Sequence, residues 1–227
     1  MKVAVIPPLP NLEIASLGSM HLVLNHMLDE DAYRSYYRKQ GEQEQWLTLD
    51  NSAHEMSSGR SIEELLPNAI VLRAREIVLP DHLFHAMYTV ESGRDALAFL
   101  AKSTLFKSCS PTPRLMVVPQ GHDEADWVWC LRALVSSADA HGFLPLLTIG
   151  LSKDYERFEG GLNRLLGLHL QPLWERHQIP VHILGWPCTW EIIHLARRYP
   201  YMLRSIDSAK PVIYAQHGKK LTHLLRP

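Results

Sequence analysis

Carboxylate side chains follow several apolar, strand-like segments of this sequence. Asp50 and Asp207 come directly after such segments, and Asp81 follows another with one proline between. Carboxylates in this position can transfer protons, attack carbon as nucleophiles, or accept hydrogen bonds from a ligand. In parallel α/β folds the carboxyl ends of neighbouring strands meet on one face, so we expect the three groups to converge.

Amide, hydroxyl and glycine positions complete the predicted site. The candidate site residues at the strand ends are Asp50, Asn51, Ser52, Asp81, Gln120, Gly121, Gly150, Leu151, Gly185 and Asp207. Such a set suits a flat ligand rich in N–H donors, such as a purine base. Taken singly, an aspartate after a strand is often a helix cap and a glycine an ordinary turn residue. Only the joint pattern indicates a site.

The segment 181–206 shows which element must position Asp207. An apolar strand, VHILG, is followed by a helix with Thr189 as its N-cap and Pro200 at its end, and then by a second strand over 202–206. A strand, a helical crossover and a strand of this length form a parallel βαβ unit.

Strands and helices alternate along the whole chain, which predicts an α/β fold. Seven or eight strands in 227 residues indicate a compact (β/α)8 TIM-like barrel, formed by one domain spanning 1–227. We also predict helices over 19–39, 123–141, 155–177 and 219–225, with Gly160-Gly161 as a candidate break in the third, and strands over 69–72 and 212–215. The crossover from 207 to 212 is too short for a helix. The barrel is therefore irregular near its C-terminus, or 212–215 is not a barrel strand.

Composition excludes several classes of protein. A net charge of −1 argues against a uniformly basic nucleic-acid binder, although a local basic patch remains compatible with it. Cys109, Cys130 and Cys188 are too few and too widely spaced for a disulfide framework or a zinc ribbon. No apolar run approaches the ~20 residues of a membrane span. We therefore expect a cytoplasmic protein with no membrane partner, no metal and no cofactor.

Five segments resemble motifs of the tRNA-guanine transglycosylase superfamily. They are, in order, LTLDNSAHE from 47, VLPD from 78, MVVPQG from 116, TIGLS from 148, and the stretch HILG to SIDSAKP over 182–211. The resemblance implies a (β/α)8 barrel and a pentosyltransferase that works through a covalent aspartyl–sugar intermediate. It makes Asp207 the nucleophile and Asp50 the proton-handling aspartate, while Asp81, Gln120 and the Gly150-Leu151 backbone bind the base.

The departures from that family favour one of its branches. Only twenty residues follow Asp207 and none is cysteine, so the zinc subdomain of the tRNA enzymes is absent. The resemblance therefore implies exchange of guanine in DNA for a 7-deazaguanine such as preQ0, as in the phage and bacterial DNA-modifying branch. DNA is favoured over tRNA as the partner, and a homodimer is left open. Lys153, Arg157, Arg204, Lys210 and His217 are candidates to hold phosphates, and the alternative for each is a solvated charged surface.

Three other functions stay open at this point. The first is exchange on tRNA. The second is a catalytically silent subunit paired with an active paralogue, against which the retention of Asp207 and Asp50 argues. The third is a metal-dependent barrel hydrolase, whose nearest ligand patterns are Asp81-His82-x-x-His85 and Gly121-His122-Asp123.

Overall fold

A computed structural model describes residues 1–186 and 189–217. The eight strands are β1 Lys2–Val5, β2 His21–Leu24, β3 Leu47–Asp50, β4 Glu76–Val78, β5 Arg114–Val117, β6 Leu147–Ser152, β7 Val181–Leu184 and β8 Leu203–Ser208. They are hydrogen-bonded in the order β1-β8-β7-β6-β5-β4-β3-β2. The paired strands run parallel. The predicted (β/α)8 TIM-like fold is therefore confirmed.

Ten α-helices lie in the described part of the chain. They are α1 Asp31–Glu42, α2 Ala53–Met56, α3 Ile62–Val71, α4 Ala86–Lys102, α5 Thr104–Lys107, α6 Glu124–Ala140, α7 Gly161–Arg164, α8 Gln171–His177, α9 Thr189–Arg198 and α10 Lys210–Gln216. Within the described ranges, none of these helices combines the length and the apolar character that a membrane crossing requires.

The chain divides into two compact units. The first joins Met1–Leu22 to the residues from Gly150 onward, and the second is Val23–Ile149. The division reflects how contacts cluster along the chain and does not test the number of domains. The single domain over 1–227 stays a prediction.

The first unit is built on β1, β8 and β7. Ala4 is in register with Asp207, and His182 with Ser205. Helix α9 has buried Ile192 and Leu195 on one side, and it carries an acidic residue in its first turn and arginines in its last. This charge distribution complements the helix dipole, so the local sequence and the packing agree.

The second unit is built on β3, β4 and β5, with α4 packed against α6. The predicted helix over 123–141 is confirmed as α6, and the Asp123 side chain caps it by accepting a hydrogen bond from the Asp126 N–H at 2.8 Å. The two helices approach closely at Gly93, where an added Cβ would lie 2.5 Å from Leu134 Cδ2. This glycine therefore sets the helix spacing in the unit.

The predicted helix over 19–39 is wrong in its first half. Residues 21–24 form β2, residues 25–29 form a 3₁₀ helix, and only then does α1 begin. His21, Leu22 and Val23 are buried in succession. Interior parallel strands bury both faces, so they lack the alternation that distinguishes a strand from a helix.

Two predicted strands are helical. Residues 69–71 lie in α3, which continues past Pro67, and residues 212–215 lie in α10. Of the two explanations for the short crossover after Asp207, the second is thus correct: 212–215 is not a barrel strand. The long helix predicted over 155–177 is broken at Gly160 and contains a π-helical segment, Leu165–Leu170. The predicted helix over 219–225 lies outside the described residues.

Candidate functional site

Three predicted binding residues form one buried cluster in the second unit, which we call the Asp81 cluster: Asn51, Asp81 and Gln120. Asn51 Nδ2 donates to Asp81 Oδ1 at 2.7 Å, and Gln120 Nε2 donates to Asp81 Oδ2 at 2.5 Å. The three side chains are 1–3% exposed. The strand ends of β3, β4 and β5 thus converge as predicted, with one amide on each carboxylate oxygen.

Burial controls the ionisation of this cluster. Loss of solvent raises the pKa of Asp81 from its usual 3.8 to about 6, and the two amide hydrogen bonds lower it only in part. A carboxyl group with this pKa changes protonation state close to neutral pH. Both of its oxygens are already hydrogen-bonded to neighbouring amides, so the geometry favours a role in holding Asn51 and Gln120 in place.

A second set of contacts surrounds Ser52, which stands in the left-handed region at φ +63°. Asp50 Oδ2 accepts a hydrogen bond from the Ser52 N–H at 2.8 Å. The buried Ser52 Oγ accepts from the His26 N–H at 3.1 Å and lies 2.9 Å from His26 Nδ1. The Ser52 hydroxyl is therefore in hydrogen-bond contact with both the backbone and the ring of His26.

His26 is a functional candidate that the sequence did not reveal. It follows β2 and so occupies a strand end like the aspartates. The sequence pattern predicted a continuous helix here, which hid the strand and its end. The sequence shows only a short apolar run, Leu22-Val23-Leu24, before Asn25 and His26, and a buried helix has the same pattern.

The first unit holds Asp207, which lies inside β8 rather than after it. Its Oδ1 accepts from His182 Nε2 at 3.0 Å and from the Gly185 N–H at 3.2 Å. His182 is fully buried, and its Nδ1 lies 2.7 Å from Ser205 Oγ. Among residues 1–186 and 189–217, no hydrogen bond to Asp207 Oδ2 is formed. One carboxylate oxygen is thus fixed and the other is left to receive a ligand.

Gly185 links Asp207 to the lysine side chains of this unit. It has φ +80°, and an added Cβ would lie 2.8 Å from Cδ of Lys153, so the lysine stem packs against the glycine backbone. Lys210 Nζ donates to the Trp186 carbonyl at 2.5 Å. The two predicted phosphate-holding lysines therefore both reach the loop that carries the Asp207 contact.

The other predicted residues have different surroundings. Gly121 is buried where β5 leads into α6, and an added Cβ would lie 2.4 Å from the Trp127 nitrogen. Gly150 and Leu151 lie within β6 instead of after it, and the Leu151 side chain is fully buried in the core. Their predicted role in binding stays a prediction.

The residues proposed for a metal hydrolase do not form a metal site. His85 and His122 meet edge-to-face with ring centroids 5.3 Å apart. Across the described ranges, no group of three or more histidine, cysteine or carboxylate side chains is arranged to hold a metal ion.

Comparisons with known proteins bear on the fold. No protein-family model matches the chain, and no curated protein matches it in sequence. A similar solved structure is that of a protein from Burkholderia cenocepacia provisionally assigned as a phosphonomutase. The TM-score is 0.54 and the identity 14%, over 98% of this chain and 92% of that chain. At this identity the likeness shows the shared fold alone.

The predicted function, exchange of guanine in DNA for a 7-deazaguanine, is wrong. The structural neighbour carries the same fold over nearly the whole chain and is assigned to a different chemistry, and the pentosyltransferase class is corrected with it. The physical reason is that (β/α)8 enzymes of many kinds place polar residues at strand ends, so short strand-end motifs do not identify the reaction. The nucleic-acid partner and the homodimer stay predictions.

Proposed function

We propose that the chain is an enzyme that uses Asp207 as a base on a small anionic substrate. The observation that carries this proposal is the Asp207 carboxylate, whose Oδ1 is held by two donors while its Oδ2 has no hydrogen bond from the described residues. Fixing one oxygen orients the other, which is the arrangement that a general base requires.

His182, which lies in the neighbouring strand β7, supports this role of Asp207. Its Nε2 donates to Asp207, so its Nδ1 accepts from the Ser205 hydroxyl. These two contacts fix the orientation of the His182 ring and, through it, the position of Asp207 Oδ1. Asp207 Oδ2 would accept a proton from the substrate, and Oδ1 would remain held during the transfer.

The position of Lys153 indicates that the substrate is negatively charged. The stem of Lys153 lies on Gly185, whose N–H donates to Asp207, and its ammonium forms no ion pair or hydrogen bond with the described part of the chain. A carboxylate or phosphonate group on the substrate would satisfy that ammonium. The similarity in fold to a protein provisionally assigned as a phosphonomutase makes phosphonates the first class to assay.

The test is a phosphorus NMR assay on small phosphonates and the matching phosphate esters of 2-oxo acids, with and without added divalent cations. We expect wild-type protein to convert at least one member of this panel. Asp207→Asn should reduce the rate at least ~100-fold, which is the usual contribution of a general base. Asp139→Asn, which alters an exposed carboxylate on α6, is the matched control.

Two results would contradict the proposal. If the Asp207→Asn variant keeps the wild-type rate, Asp207 is not the base. If no member of the panel is converted or bound by wild-type protein, the small anionic substrate is wrong.

A further inference from the structure

A cavity of about 330 Å³ lies at the amino ends of β4 and β5, within the second unit. Arg73, Arg75, Glu44 and Ser110 contribute its polar lining, together with the apolar surface of Ala69 and Ile70. The candidate residues Asp81 and Gln120 follow the opposite ends of the same strands, so this cavity is separate from their cluster.

The two arginines are uncompensated. Neither guanidinium forms an ion pair, hydrogen bond or ring contact within residues 1–186 and 189–217, and the same holds for the exposed Glu44 carboxylate. The cavity therefore carries two positive charges and one negative charge, none of them neutralised by a neighbour. Arg73 is exposed and Arg75 half-buried, so a bound anion would supply the counter-charge that the described residues do not.

The backbone fixes both arginine positions. Helix α3 ends with the Ala74 N–H bonded to the Ala69 carbonyl and the Arg73 N–H bonded to the Ile70 carbonyl, which is a Schellman motif. Arg73 occupies its left-handed position at φ +52°, where glycine is the usual residue. Arg75 is bonded through its backbone to Leu47 and Arg114.

We propose that this cavity binds a small oxyanion, of the phosphate or phosphate-monoester type, between the guanidinium groups of Arg73 and Arg75. Guanidinium groups bind such oxyanions through paired, charge-assisted hydrogen bonds. The Ser110 hydroxyl, which has no partner within the described residues, supplies a further donor. This inference does not depend on the role of Asp207.

Thermal unfolding with inorganic phosphate at constant ionic strength tests the site. A ligand that binds the native state raises Tm with concentration, and the dissociation constant follows from that dependence. We expect Arg75→Ala to weaken phosphate binding at least ~10-fold, since it removes hydrogen bonds to a charged group. Succinate in place of phosphate distinguishes a dicarboxylate from a phosphate as the preferred oxyanion.

Two variants separate loss of binding from loss of folding. Arg73→Gly removes one guanidinium but supplies the residue that the left-handed position favours, so its Tm without phosphate should rise while phosphate binding is lost. Glu44→Gln removes the carboxylate from the cavity and should tighten binding a few-fold. Arg132→Ala, which alters an exposed arginine on α6, is the matched control and should bind as wild type.

The proposal is overturned if wild-type protein does not respond to phosphate, whether or not it responds to succinate. It is also overturned if the variants at Arg73 and Arg75 respond as wild type does, because the anion then binds elsewhere.

Discussion

Replacing Asp81 by asparagine should change how the stability of this protein depends on pH. The pKa of Asp81 is raised from 3.8 to about 6 in the native state, mainly because the carboxyl group is buried. The native state therefore holds this proton at pH values where the unfolded chain has already released it. The contribution of Asp81 to stability is present at low pH and falls as the pH rises from about 4 to 6.

The size of the effect follows from that difference in pKa. At about 1.4 kcal/mol per pKa unit, the ionised carboxylate costs about 3 kcal/mol of stability above pH ~6. About 2 kcal/mol of this change falls between pH ~4.5 and ~7.5. Asparagine does not ionise, so the Asp81→Asn variant lacks the pH-dependent term. The variant is destabilised by an amount that does not depend on pH, because the asparagine NH2 group cannot accept a hydrogen bond from the amide of Asn51 or Gln120.

Urea denaturation of the variant and the wild type across this pH range measures the effect. Titration of the remaining carboxylates cancels in the difference between the two proteins. We expect the variant to gain about 2 kcal/mol relative to wild type from pH ~4.5 to ~7.5, or about 4–8 °C in relative Tm. Asp139→Asn, at an exposed position, should show no such trend. A difference between wild type and Asp81→Asn that is constant, or that moves the other way, would refute the reasoning.

Three further substitutions test contacts described above, each by urea denaturation. Gly121→Ala places a Cβ 2.4 Å from a backbone nitrogen and should cost about 2–3 kcal/mol. Gly142→Ala should cost less, about 1 kcal/mol, because its added Cβ meets nothing within 4 Å and only its φ of +74° is unfavourable for alanine. Equal losses in the two would contradict the close approach. Ser52→Gly relieves a φ of +63° and should leave the protein about 1 kcal/mol more stable than Ser52→Ala, although both lose the hydroxyl. The reverse order would show that backbone strain is not significant there. His182→Phe removes the imidazole partner of the buried Asp207 and should cost about 3 kcal/mol, and a neutral effect would remove the basis for its positioning role.

The sequence was sufficient to predict the fold class and the position of Asp81. Strands such as β3, β4 and β5 are short, mainly apolar segments, each followed within three residues by a polar group. This order along the chain does not depend on tertiary contacts, so it can be read from the sequence. Parallel pairing brings their carboxyl ends together, so the meeting of Asn51, Asp81 and Gln120 could be predicted without coordinates. The reaction could not be predicted, because strand-end polar residues are common to (β/α)8 enzymes of different chemistry.

Tertiary structure decided which strands and which side-chain contacts the sequence did not reveal. Strand β2 shows no alternation because both of its faces are buried, so only the assembled sheet reveals it, and with it His26. The relay from Ser205 through His182 to Asp207 joins side chains on two strands, and register alone determines that they meet. That Arg73 and Arg75 have no side-chain partner among the described residues likewise depends on which groups approach them after folding. The sequence by itself determined where polar groups follow the strands. The pairing and burial of those strands decided which groups meet and which remain available to a ligand.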